Sequence, residues 1–311
     1  MTRLKLAFLP ALILTVPLAA QDRGRAFTVV ETGQGFGTLA DAIAAIAGGE
    51  GTIRIAPGRY RQCAVQEEGR IAFVAETPET AIFDGAMCEG KAALVLRGQA
   101  ARVDGLVFTH MRVDDGNGAG IRIERGDLQV ARTRFVDGQC GILSAADPNG
   151  RIWIDGSTFS GLGKHPDGHG AHSVYIGHYG AVRVTNSRFE RGTGGHYVKS
   201  RALRAEIVGN SFDDSAGRDT NYMIDLPEGS VGRIAGNVFV QGLGKENYGT
   251  LIAVHAEEGD HPSAGLVIED NVASVAPGFP WTTVFVGDWS GEALVVRNNR
   301  LGPRITAFER R

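Results

Sequence analysis

The chain has little that would narrow its role at once. No charge sign dominates its 311 residues: 32 Lys+Arg stand against 35 Asp+Glu, a formal net charge of −3. That excludes a global field drawing in nucleic acid or an anionic membrane, so recognition of a charged ligand must be local. Past residue 20 no apolar run is long enough to span a bilayer, so no membrane span is expected. Serine-nucleophile motifs are absent. There are only three cysteines, at 63, 88 and 140.

What the chain has is glycine, 44 residues without a collagen period. That bias suits many chain reversals joined by short strands. The first residues read as an export signal. Arg3 and Lys5 form a charged start, residues 6–16 an apolar core, and Leu18-Ala-Ala20 precedes polar Gln21. This predicts a signal peptide over 1–20, one domain over 21–311, and a periplasmic or secreted protein. Export permits disulfides. Cys63 and Cys88 lie 25 residues apart, the length of one repeat described below, and pairing them is preferred to two free thiols. Cys140 is then left over as a buried, inert thiol.

Residues 27–31 alternate like a strand, and residues 38–47 read as a short helix with Thr38 as N-cap and Gly48-Gly49 ending it. Between them, Gly33-Gln-Gly-Phe-Gly37 fails the dinucleotide-loop spacing by one residue. Residues 52–60 give a strand, then a tight turn at Pro57-Gly-Arg-Tyr60. From there a repeat takes over. Val182-Arg-Val-Thr-Asn-Ser-Arg-Phe189, Ala205-Glu-Ile-Val-Gly-Asn-Ser-Phe212 and Gly232-Arg-Ile-Ala-Gly-Asn-Val-Phe239 are three instances. Phe108, Phe135, Phe159, Phe189, Phe212 and Phe239 fall 23 to 30 residues apart. A period in the twenties with two-residue alternation inside it is one coil of a parallel β-solenoid. Asn210, Asn237, Asn271 and Asn299 recur at one turn, where asparagine tolerates left-handed backbone and can bond its counterpart one coil away.

With its helix, its Pro-Gly-x-Tyr turn and these coils, the chain after residue 26 resembles the pectin-lyase-like right-handed parallel β-helix proteins. The resemblance implies an all-β, single-stranded right-handed parallel β-helix with a short N-terminal capping helix. That fold carries lyases, hydrolases, esterases, epimerases and binding proteins alike, so function must come from a site.

Each coil has a further strand before the one just quoted. If Ile121, Ile142, Val174, Val198, Ile224 and Ile252 point into the core, two outward columns follow. One is Arg122, Leu143, Tyr175, Lys199, Asp225 and Ala253; the other is Glu124, Ala145, Gly177, Arg201, Pro227 and His255. Tyr175, Lys199 and Asp225 are then neighbours on one open face, with Arg201 beside Lys199. The bland account is a solvated strand face with an ordinary Lys199–Asp225 ion pair. Against it, His165, His169, His172, His178 and His196, with Tyr175, Tyr179 and Tyr197, fall within 33 residues of a chain with only eight His and six Tyr. Imidazoles and aromatics around a cation suggest a sugar-binding groove. The partner expected, together with the resemblance below, is an acidic polysaccharide bound by a monomer, with His178, Tyr197, Asp225 and His255 as contacts.

Val198-Lys-Ser-Arg201 followed by Asn210-Ser-Phe212 resembles a motif of polysaccharide lyase family 6, the alginate lyase and chondroitinase B family. The resemblance implies β-elimination with Lys199 as the base for the C5 proton, Arg201 as carboxylate partner, and Tyr175, His172 or His196 as the acid. It also implies calcium as a cofactor, although the family's calcium-binding asparagine and paired glutamates have no counterpart here. The family's arginine on the next coil is missing from Tyr222-Met-Ile-Asp-Leu-Pro227, and Arg218 is the nearby substitute. Asp167-Gly-His-Gly170 resembles the polygalacturonase Gly-His-Gly segment instead, with Asp137-Gly-Gln-Cys140 supplying one aspartate where that hydrolase needs two. His165, His169 and His172 suggest a zinc site only weakly, because Pro166, Gly168 and Gly170 rule out the helix that would align them. Glycan binding without chemistry is the remaining alternative.

Overall fold

The computed structural model describes residues 25–163, 171–259 and 261–311. It is an all-β parallel solenoid of about 9 turns, with 3% of its residues helical. One sheet has twelve strands and two have ten, and strands in each follow one another coil by coil. Within the described residues, parallel pairing begins where Glu50–Ile55 meets Arg70–Ala75.

The N-terminal end is closed by antiparallel strands and a helix. Phe27–Val29 pairs antiparallel with Gln34–Phe36 and with Glu50–Ile55. The helix Leu39–Ile46 (α1) buries Leu39, Ala42 and Ile43, the i, i+3, i+4 set that makes one apolar stripe. Thr38 caps it, its hydroxyl accepting from the Asp41 N–H at 3.1 Å. The Pro57–Tyr60 segment differs from the expected tight turn. Gly58–Tyr60 is a strand, paired in parallel with Ala81–Asp84, and the Tyr60 ring packs between Phe27 and Phe83 in the aromatic core.

That stack fills the centre. Phe108, Phe135, Phe159, Phe189, Phe212 and Phe239 occupy one register position, as Phe108↔Phe135 and Phe189↔Phe212 show. Their rings lie 4.8 to 5.2 Å apart with interplanar angles of 5° to 11°. Offset stacking of this kind adds about 0.5–1.5 kcal/mol per pair beyond the area buried.

The asparagines form the expected ladder. Asn210 Nδ2 donates to Asn237 Oδ1 at 3.0 Å, Asn237 Nδ2 to Asn271 Oδ1 at 3.0 Å, and Asn271 Nδ2 to Asn299 Oδ1 at 2.9 Å. The backbone N–H groups of Asn210, Asn237 and Asn271 feed the same oxygens. Ser187, Ser157 and Thr133 continue the run N-terminally through hydroxyl and backbone contacts. Left-handed backbone falls one residue earlier than expected, on Gly209, Gly236, Asp270 and Asn298. The turn reverses there, which frees the next residue to aim its amide along the axis.

Cys63 and Cys88 are joined in a disulfide with Cα atoms 5.4 Å apart. Cys140 is free and buried, and burial pushes its thiol up to about 11, which keeps it protonated and unreactive.

Asn237 is fully buried. Asn237→Ala removes acceptors and donors on two coils and is expected to cost about 3 kcal/mol. Asn299→Ala, at the half-buried end of the ladder, is expected to cost less. Urea unfolding of both variants checks the order.

Candidate functional site

The third sheet carries the site. Its parallel register aligns Arg122↔Leu143, Leu143↔Tyr175, Tyr175↔Lys199, Lys199↔Asp225 and Asp225↔Ala253, the column expected from the sequence. Val174, Val198 and Ile224 beside it are buried in the core, which turns Tyr175, Lys199 and Asp225 away from it.

The column is not a solvated face. Lys199 is 7% exposed and Asp225 2%. Two glutamates just past the ends of neighbouring strands cover it. Glu257, after the strand Thr250–Val254, places Oε1 2.6 Å from Lys199 Nζ and Oε2 2.7 Å from Arg201 Nη2. One carboxylate thus bridges both cations. Glu228, after the strand Ile224–Leu226, pairs with Arg201 Nη1 and lies 2.6 Å from His178 Nε2. Lys199 Nζ also lies 2.9 Å from Asp225 Oδ2. Arg201 Nε donates to the Tyr175 hydroxyl at 2.9 Å.

These partners set the protonation states. Burial pushes the Lys199 ammonium down, but Asp225 and Glu257 outweigh it and hold its pKa above the ordinary value. Burial raises Asp225 although Lys199 opposes it, and Asp225 Oδ1 is buried without a hydrogen-bond partner. Burial also raises Glu257, yet Lys199 and Arg201 bring it below the usual range. Arg201 stays charged, its burial offset by Tyr175 and Glu257.

A histidine pair adjoins the network. His172 Nδ1 accepts from the His196 backbone N–H at 3.1 Å and lies 3.1 Å from His196 Nδ1. An acceptor on both counts, His172 carries its proton on Nε2 and His196 on Nδ1. His196 Nε2 then faces Asp225 Oδ2 at 3.5 Å. Burial, with Lys199 and Arg201 adding, pushes His172 down to about 3. Burial, with His172 and Lys199, takes His196 well below its ordinary value. Both imidazoles are neutral at pH 7. His172 stacks on Tyr175, ring centroids 5.6 Å apart, and both form part of the wall of a cleft of about 340 Å³.

No family model matches the chain, and no curated protein matches it. A solved structure does. The chain is similar to one titled "Geobacillus virus E2 - ORF18", with a TM-score of 0.50 and 14% identity, over 84% of this chain and 59% of that one. This likeness shows the fold alone, and the chain spans under two thirds of that neighbour's length.

Several expected residues lie elsewhere. Tyr197 points into the core, 2% exposed, and its hydroxyl donates to Asp214 at 2.7 Å, because it takes the inward position beside Val198. Arg218 is exposed in a short ribbon paired with Gly244–Lys245. His255 follows the strand Thr250–Val254 with positive φ, its Nδ1 buried and unbonded. His165, His169 and Asp167 fall outside the described residues. Asp137 is 56% exposed and lies 3.5 Å from Arg191, while Gln139 is buried and anchors a loop through Val113 and Gly118. Asp214 is a structural acceptor for Tyr197, Thr220 and the fully buried Lys245, 3.3 Å away.

Among the described residues, no group of three or more His, Cys, Asp or Glu side chains could hold a metal. Calcium fits poorly for a further reason: Asp225, Glu228 and Glu257 are already paired with Lys199, Arg201 and His178. Sequence reasoning did not single out Glu228, Glu257, Lys245 or His261, whose Nε2 lies 3.1 Å from the Arg201 carbonyl oxygen. The one sign of the first two was their place, two or three residues past aligned strands.

A buried neutral histidine makes stability depend on pH. Unfolded, His172 titrates near 6.5; folded, near 3. Its contribution is therefore present above about pH 6.5 and is lost as pH falls toward 3. Asp225, raised by burial, acts in the opposite direction at lower pH. Urea midpoints should fall between pH 6.5 and 4.5, and fall less in His172→Phe; an equal fall in both proteins would contradict a neutral His172.

Proposed function

We propose that the protein acts on a uronate-containing polysaccharide by β-elimination at the Tyr175–Lys199–Arg201 face. The observation that carries this reading is the Glu257 carboxylate held between Lys199 Nζ and Arg201 Nη2. Two cations at that separation form a seat for a carboxylate, and Glu257, 45% exposed, fills it from a loop. A uronate carboxylate entering from the cleft replaces Glu257 there.

The exchange gives each group its part. Arg201 neutralises the substrate carboxylate, which acidifies the C5 proton and stabilises the enolate-like intermediate. The exchange keeps one carboxylate beside Lys199, so its release of a proton rests on the positive charge of neighbouring Arg201 and on burial, both of which favour the neutral amine that serves as base. Tyr175, its oxygen already accepting from Arg201 Nε, is free to direct its own proton toward the departing O4 oxygen. The His172 Nε2–H and the shape of the cleft position the ring. The fold is compatible with polysaccharide-acting proteins. A periplasmic or secreted location belongs to the same reading, supported by the disulfide.

Glycan binding without turnover is the second reading, favoured by the raised Lys199 pKa in the closed network. One assay separates them: incubation with alginate, polygalacturonate, chondroitin and hyaluronan, following the ultraviolet absorbance of the unsaturated product. Elimination predicts product from at least one polymer and a loss of about 10²–10³-fold or more in Lys199→Ala. Activity surviving in Lys199→Ala removes its role. Reducing ends without absorbance indicate hydrolysis, and retention without product indicates binding alone. Glu257→Gln should shift the acid limb of the kcat/KM profile to lower pH, because Lys199 loses a neighbour that raises its pKa.

A further inference from the structure

Lys199 and Arg201 are both held closely by protein carboxylates, but one arginine on the same face has only a loose ion pair. Arg122 stands in the Tyr175 column two coils earlier, through Leu143. With coils about 4.8 Å apart, its backbone lies about 10 Å from that of Tyr175 along the solenoid axis. Its side chain is 24% exposed and lines the same cleft as Tyr175 and His172. Arg122 Nε is buried and has no hydrogen-bond partner among the described residues. Glu124 Oε1 lies 3.8 Å away, outside hydrogen-bond range, and Glu124 is already committed to Lys91 at 2.8 Å and to Arg97 at 2.6 Å. A guanidinium at a cleft wall with one loose, shared ion pair and an Nε that lacks a hydrogen bond is under-satisfied, and a planar two-oxygen anion is its natural complement.

The neighbours favour a sugar acid over a small ion. Leu143 is 9% exposed and Cys140 2%, which gives the floor an apolar patch for the C–H face of a ring. The Tyr175–His172 stack stands at one part of the wall, while Asp115 and Asn117 present polar groups suited to hydroxyls rather than to a second carboxylate. Lys91 also lines the cleft but is paired with Glu89 and Glu124, so it competes weakly for the anion.

We infer that Arg122 binds the carboxylate of a uronate residue in a second position of the cleft, two coils from the sugar at Tyr175. The polymer then runs along the axis of the solenoid, and the ligand class is a polyuronate with acidic groups on more than one sugar of the bound segment. This rests on the polysaccharide reading above and adds to it a direction and a requirement for repeated carboxylates.

The test is calorimetric titration of the full chain with oligogalacturonate and oligomannuronate and with their carboxyl-reduced, neutral forms. A Lys199→Ala background stops turnover in every protein compared. Arg122→Met is expected to weaken binding of at least one acidic oligomer by about 10- to 100-fold and to erase most of its preference over the neutral form. Arg122→Lys, which keeps the charge but loses the fork, should fall between, and it serves if Arg122→Met fails to fold. Unchanged acidic-oligomer affinity in both variants overturns the subsite, while unsaturated product from the wild type would leave the elimination reading intact. Weakened binding in the variants, with no product from any polymer, supports the subsite and overturns elimination. No binding of any oligomer by the protein with Lys199 intact, together with no product from any polymer, overturns both.

Discussion

Everything in this molecule depends on parallel, in-register pairing between successive coils. Because each strand sits about 4.8 Å from its predecessor with like positions aligned, a residue type repeated once per coil becomes a column. Phenylalanine becomes a stack and asparagine a ladder. Tyr175, Lys199 and Asp225, each on its own coil, become neighbours by the same rule. The scaffold supplies the regularity, and the site is a local exception in which polar side chains replace the bland surface of a strand.

That exception is costly and is kept rigid. Placing Lys199 and Asp225 under cover removes two charges from water, a penalty that only close, well-bonded partners offset. The second carboxylate, Glu257, and the Arg201–Glu228 pair provide those partners. Behind them the buried Lys245–Asp214–Tyr197 cluster holds the segment whose Tyr222 ring packs 5.5 Å from His196. The cations are thus held in place beside Tyr175, which lines the cleft, and are bridged by a carboxylate from the protein itself. Without Glu257, Lys199 would keep Asp225 and Arg201 would keep Glu228, and the carboxylate that bridges the two cations would be lost.

The fold was legible because its signals repeat. Phe189, Phe212 and Phe239 share spacing and context, and several weak signals at one period make a strong one. The column from Arg122 to Ala253 followed from the same alignment. What the sequence could not convey was what lies above a column. Glu228 and Glu257 sit past the strand ends, where chain spacing no longer fixes direction, and so an open ion-paired face was expected in place of a covered network. Tyr197 shows the complementary error: its type suggested a sugar contact, but it lies in the bend just before the strand Val198–Ser200, where alternation does not hold, and it turns inward to Asp214. The asparagine turn was misplaced by one residue because ladder bonding and left-handed backbone, both suited to asparagine, belong here to adjacent positions.

The central claim is that Glu257 occupies the seat of a substrate carboxylate. A crystal structure of the Lys199-containing protein with a bound oligouronate, trapped by a Tyr175→Phe substitution, addresses it most directly. The account predicts a uronate carboxylate between Lys199 Nζ and Arg201 Nη2, with Glu257 moved away. An oligouronate bound elsewhere, with Glu257 still bridging both cations, would contradict it.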